Sequence, residues 1–279
     1  ILGATDIWSE SKKTFESNFP DIPFLLGDIT SVSSKDILKI TNGIRPDILI
    51  GGPPCQGLSV MGDKNSADPR NRLFENYVRL VKDLQPKCFV FENVKGLKTM
   101  FQGRFLTLMA QSFSDLGYDI YFKILNAKEY GVPQSRERVI IVGTKIFSPY
   151  LYPIPSNRSI GKLRSFKNVG QAIMDLVDKG TEIANHIPLR HGEIVIERYK
   201  LIPEGGKLPS PCDLPKKLRR KNFGNTYIRL RRDVISTTMV PGNNAFPIHP
   251  TLNRSLTPRE AARIQTFPDS FIFKGSRQQ

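Results

Sequence analysis

The sequence predicts an α/β fold: a doubly wound mixed sheet followed by a smaller, irregular domain. Two observations lead there. Short apolar runs alternate with helical patterns through the first half of the 279 residues, as in a sheet covered on both faces by helices. From about residue 151 that texture breaks down, and Pro153, Pro155, Pro188, Pro203, Pro209, Pro211 and Pro215 interrupt the chain.

Six strands are expected, in order: "ILGATDI" (1–7), "FLLGD" (24–28), "DILIGG" (47–52), "CFVFEN" (88–93), "YDIYFKILN" (118–126) and "RVIIVGT" (138–144). The clearest helix lies in "ADPRNRLFENYVRLVKDLQP", where Asp68 can cap, Pro69 suits the first turn, and Leu73, Tyr77, Leu80, Val81 and Leu84 share one face. The last two strands are joined only by "AKEYGVPQSRE". Its Gly131 and Pro133 oppose a helix, so those strands are expected to pair antiparallel. A late helix is expected in "SLTPREAARIQTF", with Thr257 as cap, Pro258 in the first turn and Glu260 at capping-box spacing. Its apolar face would return to the α/β core. The expected organisation is thus an α/β domain over 1–150, an irregular region over 151–236 and a returning segment over 237–279.

Hydrophobic residues make up 39% and charged residues 24%, ordinary values for a globular chain, and no apolar run approaches the roughly 20 residues of a membrane span. "ILGATDIWSESKK" has no signal-peptide pattern, so cytoplasm is expected. The three cysteines (Cys55, Cys88, Cys212) form no CxxC pair, and the spacing of His186, His191 and His249 suggests no metal site. Reduced thiols and no metal are expected. A net charge of +15 and an isoelectric point near 9.8 point to a polyanionic partner, nucleic acid ahead of an anionic membrane surface. The charge is concentrated: residues 185–232 hold twelve basic side chains against four acidic ones.

Chemistry is suggested at three strand ends. "DILIGGPPCQGLS" places Cys55 where an apolar strand stops, the position at which open α/β sheets form their sites. The glycines permit close approach, and 57–70 is long enough for a closing lid. A passive buried thiol is the alternative. "FVFENV" ends its run on Glu92 and Asn93, an acid or hydrogen-bond donor if protonated, or else a carboxylate that caps or pairs. "QSRERV" sets Gln134, Arg136 and Arg138 at period 2, on one strand face or along a solvated edge.

These stretches carry a resemblance. "GGPPCQGLS", "DPRNRLFENYVRLVKDLQPKCFVFENVKGL", "YGVPQSRERVIIVG" and "HPTLNRSLTPREAARIQTFPD" resemble, in order and approximate spacing, the successive motifs of the DNA cytosine-5 methyltransferases, above all the bacterial restriction-modification enzymes. The resemblance implies a class I methyltransferase sheet with a target-recognition domain, acting on cytosine in double-stranded DNA with S-adenosylmethionine as cofactor. It implies Cys55 as nucleophile toward cytosine C6, Glu92 at ring N3 and Arg138 near O2, supported by Asn93, Arg136 and Gln134. For the cofactor it implies Asp6 at the ribose hydroxyls, Ile7, Ile29 and Leu73 beside the adenine, Asp28 at its amino group and Pro54 near the methyl donor.

The target base must be flipped out of the duplex for such chemistry. Ser59 in the lid and Arg219, Arg220, Arg229 and Arg231 in "KKLRRKNFGNTYIRLRR" are the candidate DNA contacts, though a solvated loop and a basic surface free of base contact are the alternatives. Two family elements are not seen: a preceding glycine-rich first strand, and a final segment after "FKGSRQQ". A complementary segment or polypeptide supplying them is therefore also expected. Methylation of tRNA cytosine and an idle DNA-binding homologue are the competing functions, and location with the nucleoid follows from the leading one.

Overall fold

The computed structural model of the chain describes residues 1–54, 73–98, 103–146, 150–155, 167–220, 227–239 and 246–276. The chain forms two compact units, one made of Ile1–Asn126 with Glu137–Pro153, the other of Ala127–Arg136 with Ile154–Gln279.

In the first unit the elements run β1 (Ala4–Asp6), α1 (Ser9–Asn18), β2 (Phe24–Leu26), α2 (Ser34–Ile40), β3 (Ile48–Gly51), α3 (Leu73–Leu84), β4 (Cys88–Val94), α4 (Arg104–Ser114), β5 (Asp119–Asn126) and β6 (Glu137–Thr144). β1 and β2 make a parallel pair with Asp6 opposite Leu26. The other strands form one sheet in the order β3-β4-β6-β5. β3 is parallel to β4, and β6 runs antiparallel to both β4 and β5. The expected mixed sheet and its antiparallel last pair are therefore present. The reason is local: only the 3-10 turn Ala127–Tyr130 and a few further residues separate β5 from β6, too few for a crossover helix.

Apolar alternation fixes which face of the sheet is covered. Phe89 and Phe91 on β4 and Val139 and Ile141 on β6 point into one core with Phe74, Tyr77 and Val81 of α3 and Met109 and Phe113 of α4. Aromatic rings dominate it, with the Phe89 ring tilted against Phe113 at a centroid distance of 4.2 Å and edge-to-face with Tyr118 at 5.2 Å. The buried face of α3 is Phe74, Tyr77, Leu80, Val81 and Leu84. Leu73, expected on that face, is only half-buried, because Phe74 takes the place three residues before Tyr77. The Asp68 and Pro69 start signals lie outside the described residues.

Two glycines are required by packing. A Cβ on Gly51 would meet the Tyr77 ring at 2.4 Å. Tyr77 uses that space to bring its hydroxyl to the carbonyls of Leu49 at 3.1 Å and Val90 at 3.0 Å, tying β3 to β4. Gly143 on β6 lies flat beneath Phe89, leaving no room for a side chain.

The second unit has few regular elements. Its described helices are α5 (Val169–Ile173), α6 (Glu193–Lys200) and α7 (Pro258–Ile264), joined by isolated β-bridges such as Lys207 with Ile228 and Arg229 with Ile248. α7 starts as its sequence requires: Thr257 Oγ1 accepts from the Glu260 N–H, and Glu260 Oε2 accepts from the Thr257 N–H. Its apolar face, expected on the α/β core, instead packs with α5 within the second unit, around Val169, Ile173, Leu256, Ala261 and Ile264. Among the described residues, no helix is long and apolar enough to cross a membrane.

Candidate active site

The carboxyl ends of β3 and β4 lie at one end of the four-stranded sheet, and so does the start of β6, which runs the other way. Sheet register therefore gathers what the sequence separates. Gly51 is opposite Phe91, so Gly52 comes beside Glu92: a Cβ there would stand 3.2 Å from Glu92 Oε2. Glu92 is opposite Ile140 and Arg138 is opposite Val94, which puts Glu92 and Arg138 diagonally across one face. They pair, Arg138 Nε to Glu92 Oε1 at 2.8 Å, and Arg138 Nη1 also donates to the Glu137 carbonyl at 2.8 Å. The Glu92 side chain keeps 41% exposure and Arg138 20%, so the pair is open to a ligand and not sealed in the core.

Asn93 points to the opposite face and is buried. Its Nδ2 donates to the Pro53 carbonyl at 3.0 Å, and its Oδ1 accepts from the Val94 N–H at 2.9 Å. It thereby fixes the backbone that leads through Pro54 to Cys55. Cys55, Ser59 and the 57–70 lid lie outside the described residues.

Gln134 and Arg136 belong to the second unit. Gln134 bridges to Ser236, and its backbone surroundings are tight: Ser135 N–H donates to Ser236 O, and Ser236 N–H to Pro133 O, both at 2.8 Å. Its amide is 0% exposed, yet among the described residues neither Oε1 nor Nε2 has a hydrogen-bond partner. An amide left so costs about 1–3 kcal/mol. Arg136 is half-buried, and its carbonyl accepts from the Ala127 N–H at 3.0 Å.

The cofactor candidates sit at the carboxyl ends of the β1–β2 pair. Asp6 and the 57%-exposed Ile7 end β1, and Asp28 and Ile29 follow β2. Asp6 Oδ1 accepts from the Trp8 N–H at 3.0 Å, and Asp28 Oδ1 from the Thr30 N–H at 2.9 Å and hydroxyl at 2.8 Å. The Thr30 bonds, backbone first, hold the Asp28 carboxyl below its usual range. Each carboxylate is exposed and keeps an oxygen that no described hydrogen bond uses. That suits hydroxyl and amino donors of a nucleoside. Arg79 on α3 steadies this end by donating to the Ile29 carbonyl at 2.8 Å and that of Val32 at 2.9 Å. Pro54 is exposed and Leu73 half-buried.

The four candidate DNA arginines prove unlike one another. Arg219 and Arg220 are exposed on the turn after Lys216–Leu218. Arg231 is exposed but grips Asp233 with a two-pronged ion pair. Arg229 is a correction: it is 5% exposed, and its guanidinium donates to the carbonyls of Tyr199, Ile202, His249 and Leu252 and to Asn253 Oδ1. All five N–H groups are spent inside the unit, so Arg229 is an internal brace and not a DNA contact. Tyr77 went unread as a brace of the site strands; its signal was a residue with a polar tip on an otherwise apolar helix face.

A mixed sheet of this order, with its polar groups gathered at the carboxyl ends of the parallel strands, is the fold of class I methyltransferases. The profile of the C-5 cytosine-specific DNA methylases matches residues 1–279. The Type II methyltransferase M1.HphI of Haemophilus parahaemolyticus is 36% identical over 272 residues, 95% of this chain and 70% of that protein. M.DdeI of Desulfomicrobium norvegicum is 33% identical over 309 residues, 98% and 74% of the two. Among solved structures, a prophage-encoded E. coli protein described as a DNA modification methyltransferase superposes with a TM-score of 0.66 at 28% identity, covering 97% of this chain and 83% of that one. The S. pombe Dnmt2 methyltransferase shares the fold, with a TM-score of 0.58 at 18% identity over 99% of this chain and 81% of that one. The chain belongs to the C-5 cytosine-specific DNA methylase family and is, with it, an S-adenosylmethionine-dependent DNA cytosine-5 methyltransferase of the restriction-modification type.

Proposed function

We propose that this chain methylates C5 of a cytosine flipped out of a specific duplex sequence, through a covalent adduct with Cys55. One observation carries the reading: the Glu92–Arg138 pair and the Asn93-held backbone of Pro53 meet at a single sheet end, two residues before Cys55. Cytosine C5 is a poor nucleophile. Addition of a thiolate to C6 makes C5 enamine-like, and a thiol with a reference pKa of about 8.5 is only slightly ionised at neutral pH, so positive groups nearby favour the attacking form.

Glu92, carrying a proton, donates it to ring N3 as negative charge develops there, and Arg138, which meets the Glu92 carboxyl on the same sheet face, serves O2. Asn93 holds the approach of Cys55, and Gln134 and Arg136 are the supporting residues that the family resemblance implies. After methyl transfer, water takes the C5 proton, the C6–S bond breaks to expel the Cys55 thiolate as the C5–C6 double bond re-forms, and N3 returns its proton to Glu92. Asp6, Ile7, Asp28, Ile29, Pro54 and Leu73 would hold S-adenosylmethionine, and the carboxylate oxygens of Asp6 and Asp28 that no described hydrogen bond uses fit its hydroxyl and amino donors. When bound, that cofactor supplies the electrophilic methyl group. Residues 1–150 carry catalysis and 151–236 read the target, with 237–279 completing the catalytic part.

A covalent trap tests this. The full-length protein is mixed with S-adenosylmethionine and duplex DNA carrying 5-fluorocytosine in random inserts, with tRNA in parallel. Fluorine cannot leave as the proton does, so a denaturation-resistant adduct on DNA that vanishes in Cys55→Ala is expected. An adduct on tRNA alone, or none on either, overturns the reading.

A further inference from the structure

One helix ties together the two sheets of the first unit. Among the described residues no strand pairing joins the β1–β2 pair to the four-stranded sheet. α3 reaches both. On one side the Tyr77 hydroxyl holds the carbonyls of Leu49 on β3 and Val90 on β4. Two positions on, roughly 200° around the helix, the half-buried Arg79 leaves toward the other sheet. Its Nη2 donates to the carbonyls of Ile29 at 2.8 Å and Val32 at 2.9 Å, and lies 3.4 Å from Asn76 Oδ1 one turn back.

The turn that Arg79 grips carries Asp28 and Ile29. Its shape is set from within. Asp28 Oδ1 accepts from the Thr30 N–H and hydroxyl, while the Asp28 carbonyl accepts from the Ser31 N–H and hydroxyl at 2.9 Å each and from the Val32 N–H at 3.0 Å. Ser33 then caps α2 through a box with Asp36. Val32 is only 5% exposed, and a Cβ on Gly27 would stand 3.1 Å from it. These local bonds give the turn its form, and the two Arg79 bonds fasten that form to the helix that braces the strands of the catalytic pair.

We propose that Arg79 is a positioning residue for recognition of the cofactor's adenine: through the Ile29 and Val32 carbonyls it holds the Asp28 carboxylate in line with the 6-amino group. The proposal rests on the cofactor reading above. Hypoxanthine differs from adenine at that point, because a carbonyl that accepts replaces an amino group that donates. An ionised carboxylate only accepts, so it favours adenine, and the preference depends on alignment, since hydrogen bonds weaken steeply off line. Contact of Ile29 with the ring is alike for both purines. A turn loosened from α3 therefore keeps the ring contact and loses the discrimination.

The test is calorimetric titration of the full-length protein with S-adenosylhomocysteine and with S-inosylhomocysteine, which carries hypoxanthine in place of adenine. The parent is expected to prefer the adenine ligand by about tenfold or more, the range of one hydrogen bond to a charged group. Arg79→Met is expected to bring that preference to within about threefold. Arg79→Lys is expected to restore most of it, because both carbonyls are served by a single nitrogen of Arg79 and an ammonium also donates more than once. The stoichiometry counts folded sites, so partial unfolding lowers the count and leaves the ratio of the two affinities alone. Should Arg79→Met not fold, Arg79→Gln, too short to reach either carbonyl, is read in its place. A parent preference retained in full by the neutral variant overturns the proposal and leaves Arg79 a brace of the fold. A parent that binds the two ligands equally, or binds neither, overturns the cofactor reading first and this proposal with it.

Discussion

Asn93 Nδ2 donates to the carbonyl of Pro53 at 3.0 Å, linking the end of β4 to the backbone that leaves β3 two residues before Cys55. Asn93 accepts from Val94 through its other amide atom, so the side chain is fixed at both ends. Asn93→Asp preserves shape but sets a carboxylate against the carbonyl. Displacing a nucleophile by about 1 Å costs on the order of 10²-fold in rate. The expected outcome is a loss of turnover of that size with duplex affinity within a few-fold of the parent, measured by methyl transfer and anisotropy side by side. Equal losses in both would show that Asn93 supports the whole fold and not the approach of the thiol.

Gln134 carries a cost that its own unit does not offset. Its amide is wholly buried and has no hydrogen-bond partner among the described residues, so replacing it by the similarly shaped methionine removes an unsatisfied polar group. Gln134→Met is expected to raise stability by about 1–3 kcal/mol in urea unfolding and to lower methyl transfer. A variant that is both destabilised and fully active would show that Gln134 is retained for packing alone.

Arg229 ties together segments distant in sequence, through the carbonyls of Tyr199, Ile202, His249 and Leu252. Lysine has one nitrogen and cannot reach all of them. Arg229→Lys is expected to lower unfolding stability by at least about 3 kcal/mol, because several buried carbonyls lose their donors at once. The salt slope of DNA binding by the folded fraction stays at the parent value. A changed slope would put Arg229 back at the DNA surface.

The contrast between Arg229 and Arg219 shows how far the sequence could be read. Period-2 alternation places Glu92 and Arg138 on one face once β4 and β6 pair, because their spacing follows from strand geometry alone. The late helix was equally legible, since the Thr257, Pro258 and Glu260 signals act within one turn. The fate of a cation in "KKLRRKNFGNTYIRLRR" is different. Arg229 is internal because carbonyls from four remote positions converge on it, and Arg231 is neutralised by Asp233, while Arg219 stays open. Composition counts these residues alike, and only tertiary packing separates them. Gly51 and Gly143 similarly read as strand glycines until Tyr77 and Phe89 are seen to fill the space above them.

His249 gives the fold an acid limit. The ring is fully buried, Nδ1 accepts from the N–H groups of Thr251 and Leu252 at 3.2 Å each, and Nε2 has no hydrogen bond among the described residues and lies 3.7 Å from Glu260 Oε1. Burial pushes its pKa down to about 4, Arg254, Arg229 and His186 push the same way, and Glu260 pulls against them. An unfolded chain protonates this ring near ~6.5. Above that pH both states are neutral and full stability is present. Between about 6.5 and about 4 the unfolded state takes up a proton that the native state refuses, so stability falls as pH falls, by on the order of 3 kcal/mol in all. Glu260 acts in a lower window. Burial works to raise its carboxyl, but the Arg254 fork and the Thr257 N–H outweigh burial and leave it below its usual range, so its contribution is lost only as pH drops through that depressed value. Urea midpoints measured from neutral pH downward are expected to decline through the His249 window. His249→Asn, which keeps an acceptor for the two N–H groups, removes most of that decline. A variant that declines in parallel with the parent would sink the assignment and place the acid sensitivity in another group.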